Sequence, residues 1–133
     1  MKPIDFDAFG EVIEGVVKKV MENPNRQVVL SDTLKKIVDY VNENLSDEDM
    51  RLTLLAENMN MNPNYISQLF KKELGCGYHA YLNQVRVEKA KKYLRQTNEP
   101  ITVVAELVGF SDYRIFTKIF KGIVGVTPSQ FRK

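Results

Sequence analysis

Apolar residues recur along most of the chain at spacings of three and four, the period of an amphipathic helix. No stretch sustains the strict alternation of a half-buried strand. Phe9, Val12, Ile13, Val16, Val17 and Val20 form a first stripe, which stops at Asn23-Pro24-Asn25. Leu34, Ile37, Val38, Val41 and Leu45 form a second, with Ser31 or Asp32 placed to open it as N-cap. Tyr81, Leu82, Val85, Ala90, Tyr93 and Leu94 share a face over residues 78–97 and predict one long helix, about 30 Å at ~1.5 Å per residue. Such helices bury one face and need partner surfaces, so the pattern predicts an all-α fold.

A repeat lies within this pattern. Leu52-Thr53-Leu54-Leu55-Ala56-Glu57 resembles Ile101-Thr102-Val103-Val104-Ala105-Glu106 at an offset of 49, and Ile66, Phe70, Lys71 and Gly75 match Phe116, Phe120, Lys121 and Gly125 at an offset of 50. The second copy therefore carries one extra residue in its turn. Each copy reads as a short helix, a tight turn and a second helix. Ala56 and Ala105 are small where two helices must cross closely. Four residues later come Asn60 and Gly109, the types that best tolerate positive φ. Asn62-Pro63 then supplies an N-cap and a proline at the first helical position, and Ser111 or Asp112 caps the equivalent helix. Ile66, Leu69 and Phe70, like Phe116, Ile119 and Phe120, face inward, which turns the positions between them outward.

Composition narrows the function. At 133 residues and 44% apolar content the chain is long enough for one cored domain with an appendage. No apolar run is long enough to span a membrane and no signal-peptide pattern opens the chain, so the expectation is a soluble cytoplasmic protein. One cysteine, Cys76, and one histidine, His79, leave no disulfide, no metal-ligand spacing and no nucleophile-base pair, and there is no glycine-rich phosphate loop. The chain is thus expected to be no enzyme, to hold no metal or cofactor, and to bury Cys76 as a structural thiol. Residues 1–30 hold four basic and five acidic side chains, and residues 31–133 hold fifteen and twelve, so the basic excess lies in the later part.

The two copies, in order and spacing, resemble the AraC/XylS family of bacterial transcription regulators over roughly residues 31–133. Ala105, Gly109-Phe110, Phe116, Phe120-Lys121, Gly125, Thr127-Pro128 and Phe131-Arg132 carry the resemblance downstream. Ala56, Tyr65-Ile66, Phe70-Lys71-Lys72, Gly75, Tyr81-Leu82, Arg86 and Ala90 carry it upstream. The resemblance implies an all-α domain of about seven helices: a first helix-turn-helix at about 52–75, a linker helix at about 78–97 and a second helix-turn-helix at about 101–125. An N-terminal amphipathic helix precedes them. It also implies that double-stranded DNA is the partner, with Asn64, Ser67 and Gln68 of the first recognition helix and Tyr113, Arg114, Thr117 and Lys118 of the second at base edges. Asn and Gln suit adenine, Arg suits guanine, and a Thr methyl or Tyr ring suits thymine methyls. Lys71, Lys72 and Lys121 lie further along and are expected to hold phosphates. A linker of about 30 Å is close to the roughly 34 Å between successive major-groove faces on one side of a duplex.

Two positions depart from the family pattern. Gly122 stands inside the second recognition helix where a basic residue is common, at a propensity loss of about 1 kcal/mol. Gly77 replaces a hydroxyl residue at the start of the linker helix, where glycine remains an acceptable N-cap.

The start of the chain, Lys2-Pro3-Ile4-Asp5-Phe6-Asp7 before an amphipathic helix, resembles the end of a response-regulator receiver domain. On that reading residues 1–28 are the receiver end and a linker helix, residues 29–133 are the DNA-binding domain, and the whole protein is a two-component regulator. A generic N-terminal helix packed on the domain is the other reading. Either way the stripe of Phe9 to Val20 must cover itself, and a homodimer through that helix is one way to do so. RNA polymerase is a further partner that a transcription regulator implies. Against these stand a helical protein-interaction module and a regulator whose missing domain senses a small ligand. No aromatic-bearing strand supports RNA binding.

Overall fold

A computed structural model describes residues 30–133. The first apolar stripe and the Lys-Pro segment lie outside the described residues. Within them are seven helices and no strand: α1 (Asp32–Glu43), α2 (Leu52–Met59), α3 (Pro63–Leu74), α4 (Tyr78–Gln96), α5 (Ile101–Leu107), α6 (Tyr113–Val124) and α7 (Pro128–Arg132). The all-α expectation is met.

Local chemistry sets the helix ends. Ser31, not Asp32, caps α1, its hydroxyl accepting the Leu34 N–H at 3.2 Å. The same residue is gripped from α3: Glu73 accepts the Ser31 N–H at 2.6 Å and the Ser31 hydroxyl at 2.8 Å. Asn62 caps α3 by accepting the Asn64 N–H at 2.8 Å, with Pro63 in the first turn. Gly77 opens α4 without a side-chain cap, and α4 stops at Gln96 because Thr97 turns to extended backbone.

The turns of the two copies are built alike. Asn60, at φ 55°, donates its N–H to the Glu57 carbonyl at 3.1 Å, and Met61 donates to Ala56 at 2.9 Å. Gly109, at φ 99°, donates to Glu106 at 3.0 Å, and Phe110 donates to Ala105 at 2.9 Å. This paired bonding satisfies carbonyls left open at a helix end and requires a left-handed residue between. The equivalence runs through Phe110, matched to Met61, and resumes one residue later with caps Asp112 and Asn62. Ser111 is therefore the extra residue.

Two cores share α4. Its N-terminal half closes the first with α1, α2 and α3, around Leu34, Ile37, Val41, Ile66, Phe70 and Tyr81, all fully buried. Phe70 packs against Tyr78 and Tyr81 with ring centroids 5.4 and 5.3 Å apart. Tyr78 donates its hydroxyl to the Met50 carbonyl at 2.8 Å, and burial pushes its phenol up to about 12. The C-terminal half supplies Val87, Ala90 and Leu94 to the second core, with Val104 and Ala105 of α5 and Phe116 and Phe120 of α6. An aromatic chain, Phe110, Phe116, Phe120 and Phe131, steps through that core at 5.3, 5.7 and 5.6 Å. Burying one such side chain stabilises by roughly 1.5–3 kcal/mol, against propensity differences below about 0.7 kcal/mol per ordinary residue. Packing, more than propensity, holds these short helices.

Arg132 of α7 secures the far end of α4. Its guanidinium donates to the carbonyls of Leu94, Thr97 and Glu99 at 3.2, 3.2 and 2.6 Å, which would otherwise lack helical partners. Cys76, expected to be buried, is half-buried at the edge of the first core, and desolvation raises its thiol pKa. It follows Gly75, whose left-handed turn between α3 and α4 leaves the segment at the surface.

Candidate nucleic-acid interface

The second helix of each copy has one face sealed and one open. In α3 the sealed face is Ile66, Leu69, Phe70 and Leu74, and Asn64, Tyr65, Gln68, Lys71 and Lys72 are exposed. In α6 Phe116 and Phe120 are fully buried, while Tyr113, Arg114, Ile115, Lys118 and Lys121 are exposed. Ser67 and Thr117, also expected at base edges, sit half-buried at the flank of each face. Every position singled out in the sequence thus lies on or beside the open face. The pairs Asn64 and Arg114, Ser67 and Thr117, Gln68 and Lys118, and Lys71 and Lys121 occupy equivalent places.

Two apolar side chains on these faces escaped the sequence reading. Tyr65 is 47% exposed and Ile115, its counterpart, is 52% exposed. The signal was present in their phase: each precedes an inward-facing residue and falls off the buried stripe. An isoleucine that leaves half its surface to solvent in the opening turn of a helix contributes less to the core than a buried one.

Several side chains are already oriented. Asp112 caps α6 through the Arg114 N–H at 2.8 Å and also accepts the Arg114 guanidinium, Nε at 3.3 Å and Nη2 at 3.2 Å. The hydrogen bond from Arg114 and then its backbone N–H hold the Asp112 carboxyl below its ordinary value, and the same carboxylate raises Arg114. Thr117 donates its hydroxyl to the Tyr113 carbonyl at 2.8 Å, which commits the oxygen to the helix and leaves the methyl as its outward chemistry.

Charge follows the same faces. Within α6 stand Arg114, Lys118 and Lys121 and no acidic residue. In α3 Lys71 and Lys72 are exposed near the C-terminal end, and the one acid, Glu73, is engaged with Ser31. Among the described residues no group of three or more His, Cys, Asp or Glu could hold a metal ion, and no helix is long and apolar enough to cross a membrane.

A family profile described as "Helix-turn-helix domain" matches residues 55–133. The C-terminal domain of the two-component response regulator yesN from Fusobacterium nucleatum superposes with a TM-score of 0.74 at 35% identity, over 77% of this chain and 100% of that one. This chain belongs to the AraC-type helix-turn-helix family. The family is one of DNA-binding transcription regulators, not of enzymes. The C-terminal domain of AraT, a response regulator from Geobacillus stearothermophilus, superposes on the AraC-type domain with a TM-score of 0.75 at 36% identity, over 77% of this chain and 85% of that one. The arabinose operon regulatory protein of Escherichia coli K12 is 28% identical over 91% of this chain, which spans 42% of that protein's length.

Proposed function

We propose that this AraC-type domain is the sequence-reading output module of a phosphorelay response regulator, with α3 and α6 entering adjacent major-groove segments of one duplex. The observation that carries the reading is the pairing of two open helix faces at equivalent positions, one bearing Asn64, Ser67 and Gln68 and the other Tyr113, Arg114, Thr117 and Lys118. Side chains in the opening turns of such helices point at base edges. Lys71, Lys72 and Lys121 lie toward the C-terminal ends and hold phosphates. Since α4 has 19 residues, about 28 Å at ~1.5 Å per residue, the two units suit neighbouring grooves on one side of the helix.

The phosphorelay part rests on the Lys2-Pro3 segment and on the likeness to the C-terminal domains of the response regulators yesN and AraT. On this reading residues 1–28 join the domain to a receiver, the intact protein works in the cytoplasm, and its partners are a second copy through the N-terminal helix and RNA polymerase. The test has two arms. Selection of duplexes from a random pool, followed by titration, should yield a bipartite site bound far more tightly than random DNA; binding no tighter than to random duplex rejects sequence reading. Acetyl phosphate treatment of the intact protein should raise affinity for that site, and an unchanged affinity rejects the phosphorelay role.

A further inference from the structure

Arg86 stands where both units meet. α4 passes from the first core to the second within three residues: Val85 is buried in the former, Val87 in the latter, and Arg86 between them is only 6% exposed. Among the described residues it is the single buried charged side chain. Its Nε donates to the Leu45 carbonyl at 3.3 Å and its Nη2 to the Asp47 carbonyl at 2.7 Å, both in the segment after α1. On the other side its Cζ lies 5.5 Å from the centroid of the Phe110 ring, in the turn of the second unit. From that same turn Gly109 approaches so closely that a Cβ would strike the Leu45 carbonyl oxygen and lie 2.8 Å from Arg86 Nη2. Thus the loop of the first unit meets the turn of the second directly, with the guanidinium wedged between them.

We infer that Arg86, together with Gly109, is a positioning residue that fixes the angle between the two helix-turn-helix units and thereby sets the half-site spacing the domain accepts. A helix alone would tie the units at one place and let each swing about its end of α4. The fork on two carbonyls and the turn laid against Leu45 add a second tie, and two ties remove the swing. For linked binding modules a rigid connection of matched span gives the highest effective concentration at one spacing and the steepest loss at others. A planar fork suits this role, because it grips two acceptors and a ring face at once, which a point charge does not. The inference rests on the bipartite reading proposed above, but its geometry is testable without DNA.

The experiment compares the chain with its Arg86→Lys and Gly109→Ala variants on three duplexes: the selected site, that site with one or two base pairs inserted between the half-sites, and a single half-site. The unaltered chain should lose roughly tenfold or more on insertion. The variants should bind the selected site roughly tenfold more weakly, lose little more on insertion, and match the unaltered chain on the half-site. An unchanged spacing profile overturns the inference, as does an equal loss on the half-site, which would mark a role in folding alone. Gly109→Ala forces a side chain into a positive-φ turn, so Arg86→Lys, which retains the charge, decides if that variant does not fold. Residual dipolar couplings of the two units, measured without DNA, should give a broadened inter-unit orientation in Arg86→Lys. An orientation as sharply defined as in the unaltered chain overturns the joint, even if no duplex supports bipartite binding and the functional reading itself fails.

Discussion

Asp112 holds both the backbone and the side chain of Arg114: one carboxylate accepts the N–H that starts α6 and the guanidinium that the helix presents to solvent. The ion pair is exposed, so it contributes little to stability. Its effect is to orient the fork. Arg114→Ala should reduce affinity roughly ten- to a hundredfold at one preferred base pair and flatten selectivity there, read by titration on point-substituted sites. Asp112→Asn retains a good cap and loses the ion pair, so it should leave the fold intact and weaken selectivity at that same base pair by less. A uniform loss across all sites in Arg114→Ala would show that it holds phosphate instead.

The same carboxylate predicts an acid-sensitive step. Asp112 is held below the ordinary carboxylate range in the folded chain, so its contribution is complete above the unfolded value of about 4 and is lost as pH falls through the lower folded value. Because the pair is exposed the effect is small: thermal melts at decreasing pH should fall slightly more steeply in the unaltered chain than in Asp112→Asn. Identical acid profiles would refute it.

Lys71→Ala and Lys121→Ala should weaken binding to the selected site and to random duplex alike. Each should flatten the plot of log K against log salt by about 0.9. A loss confined to one base pair would reassign that lysine to base reading.

A side chain at Gly122 has open space around it, since a Cβ there would meet nothing within 4 Å. Gly122→Ala should therefore stabilise the domain by about 1 kcal/mol in denaturant titration. Gly122→Lys restores a basic residue opposite Lys72 in the repeat and should also steepen the salt plot by about 0.9. Destabilisation by Ala would mean that the helix needs flexibility at that position.

Ser31 ties the start of α1 to α3 through Glu73. Ser31→Ala removes the cap and one of the two bonds, and should lower stability by about 1 kcal/mol, or about 4–8 °C in melting temperature. A double-mutant cycle with Glu73→Ala should show coupling above about 0.5 kcal/mol; strict additivity would refute the tie.

The helices, the repeat and its turns were legible because each rests on neighbours in sequence. The spacing of Leu34 to Leu45, the alanines of the crossing, and Asn60 and Gly109 after them all speak through local rules. The open faces of α3 and α6 followed from the buried stripes, but Tyr65 and Ile115 did not, because an apolar residue is read first as core. Arg86 matched the family pattern, but its burial and contacts were hidden for a different reason. A lone arginine in mid-helix reads as solvated, and its acceptors Leu45 and Asp47 lie 41 and 39 residues away. The Ser31 tie to Glu73 spans 42 residues and was hidden likewise.

Ser111 and the unlike side chains on the two open faces make the copies similar in plan but not interchangeable. A symmetric dimer reads a palindrome and binds it identically from either end. On the bipartite reading proposed above, a single chain with α3 and α6 at opposite ends of α4 would read a sequence that has a front and a back. Turning the operator around relative to a promoter would carry the N-terminal end of the domain to the other side. Orientation on the chromosome then becomes part of the signal.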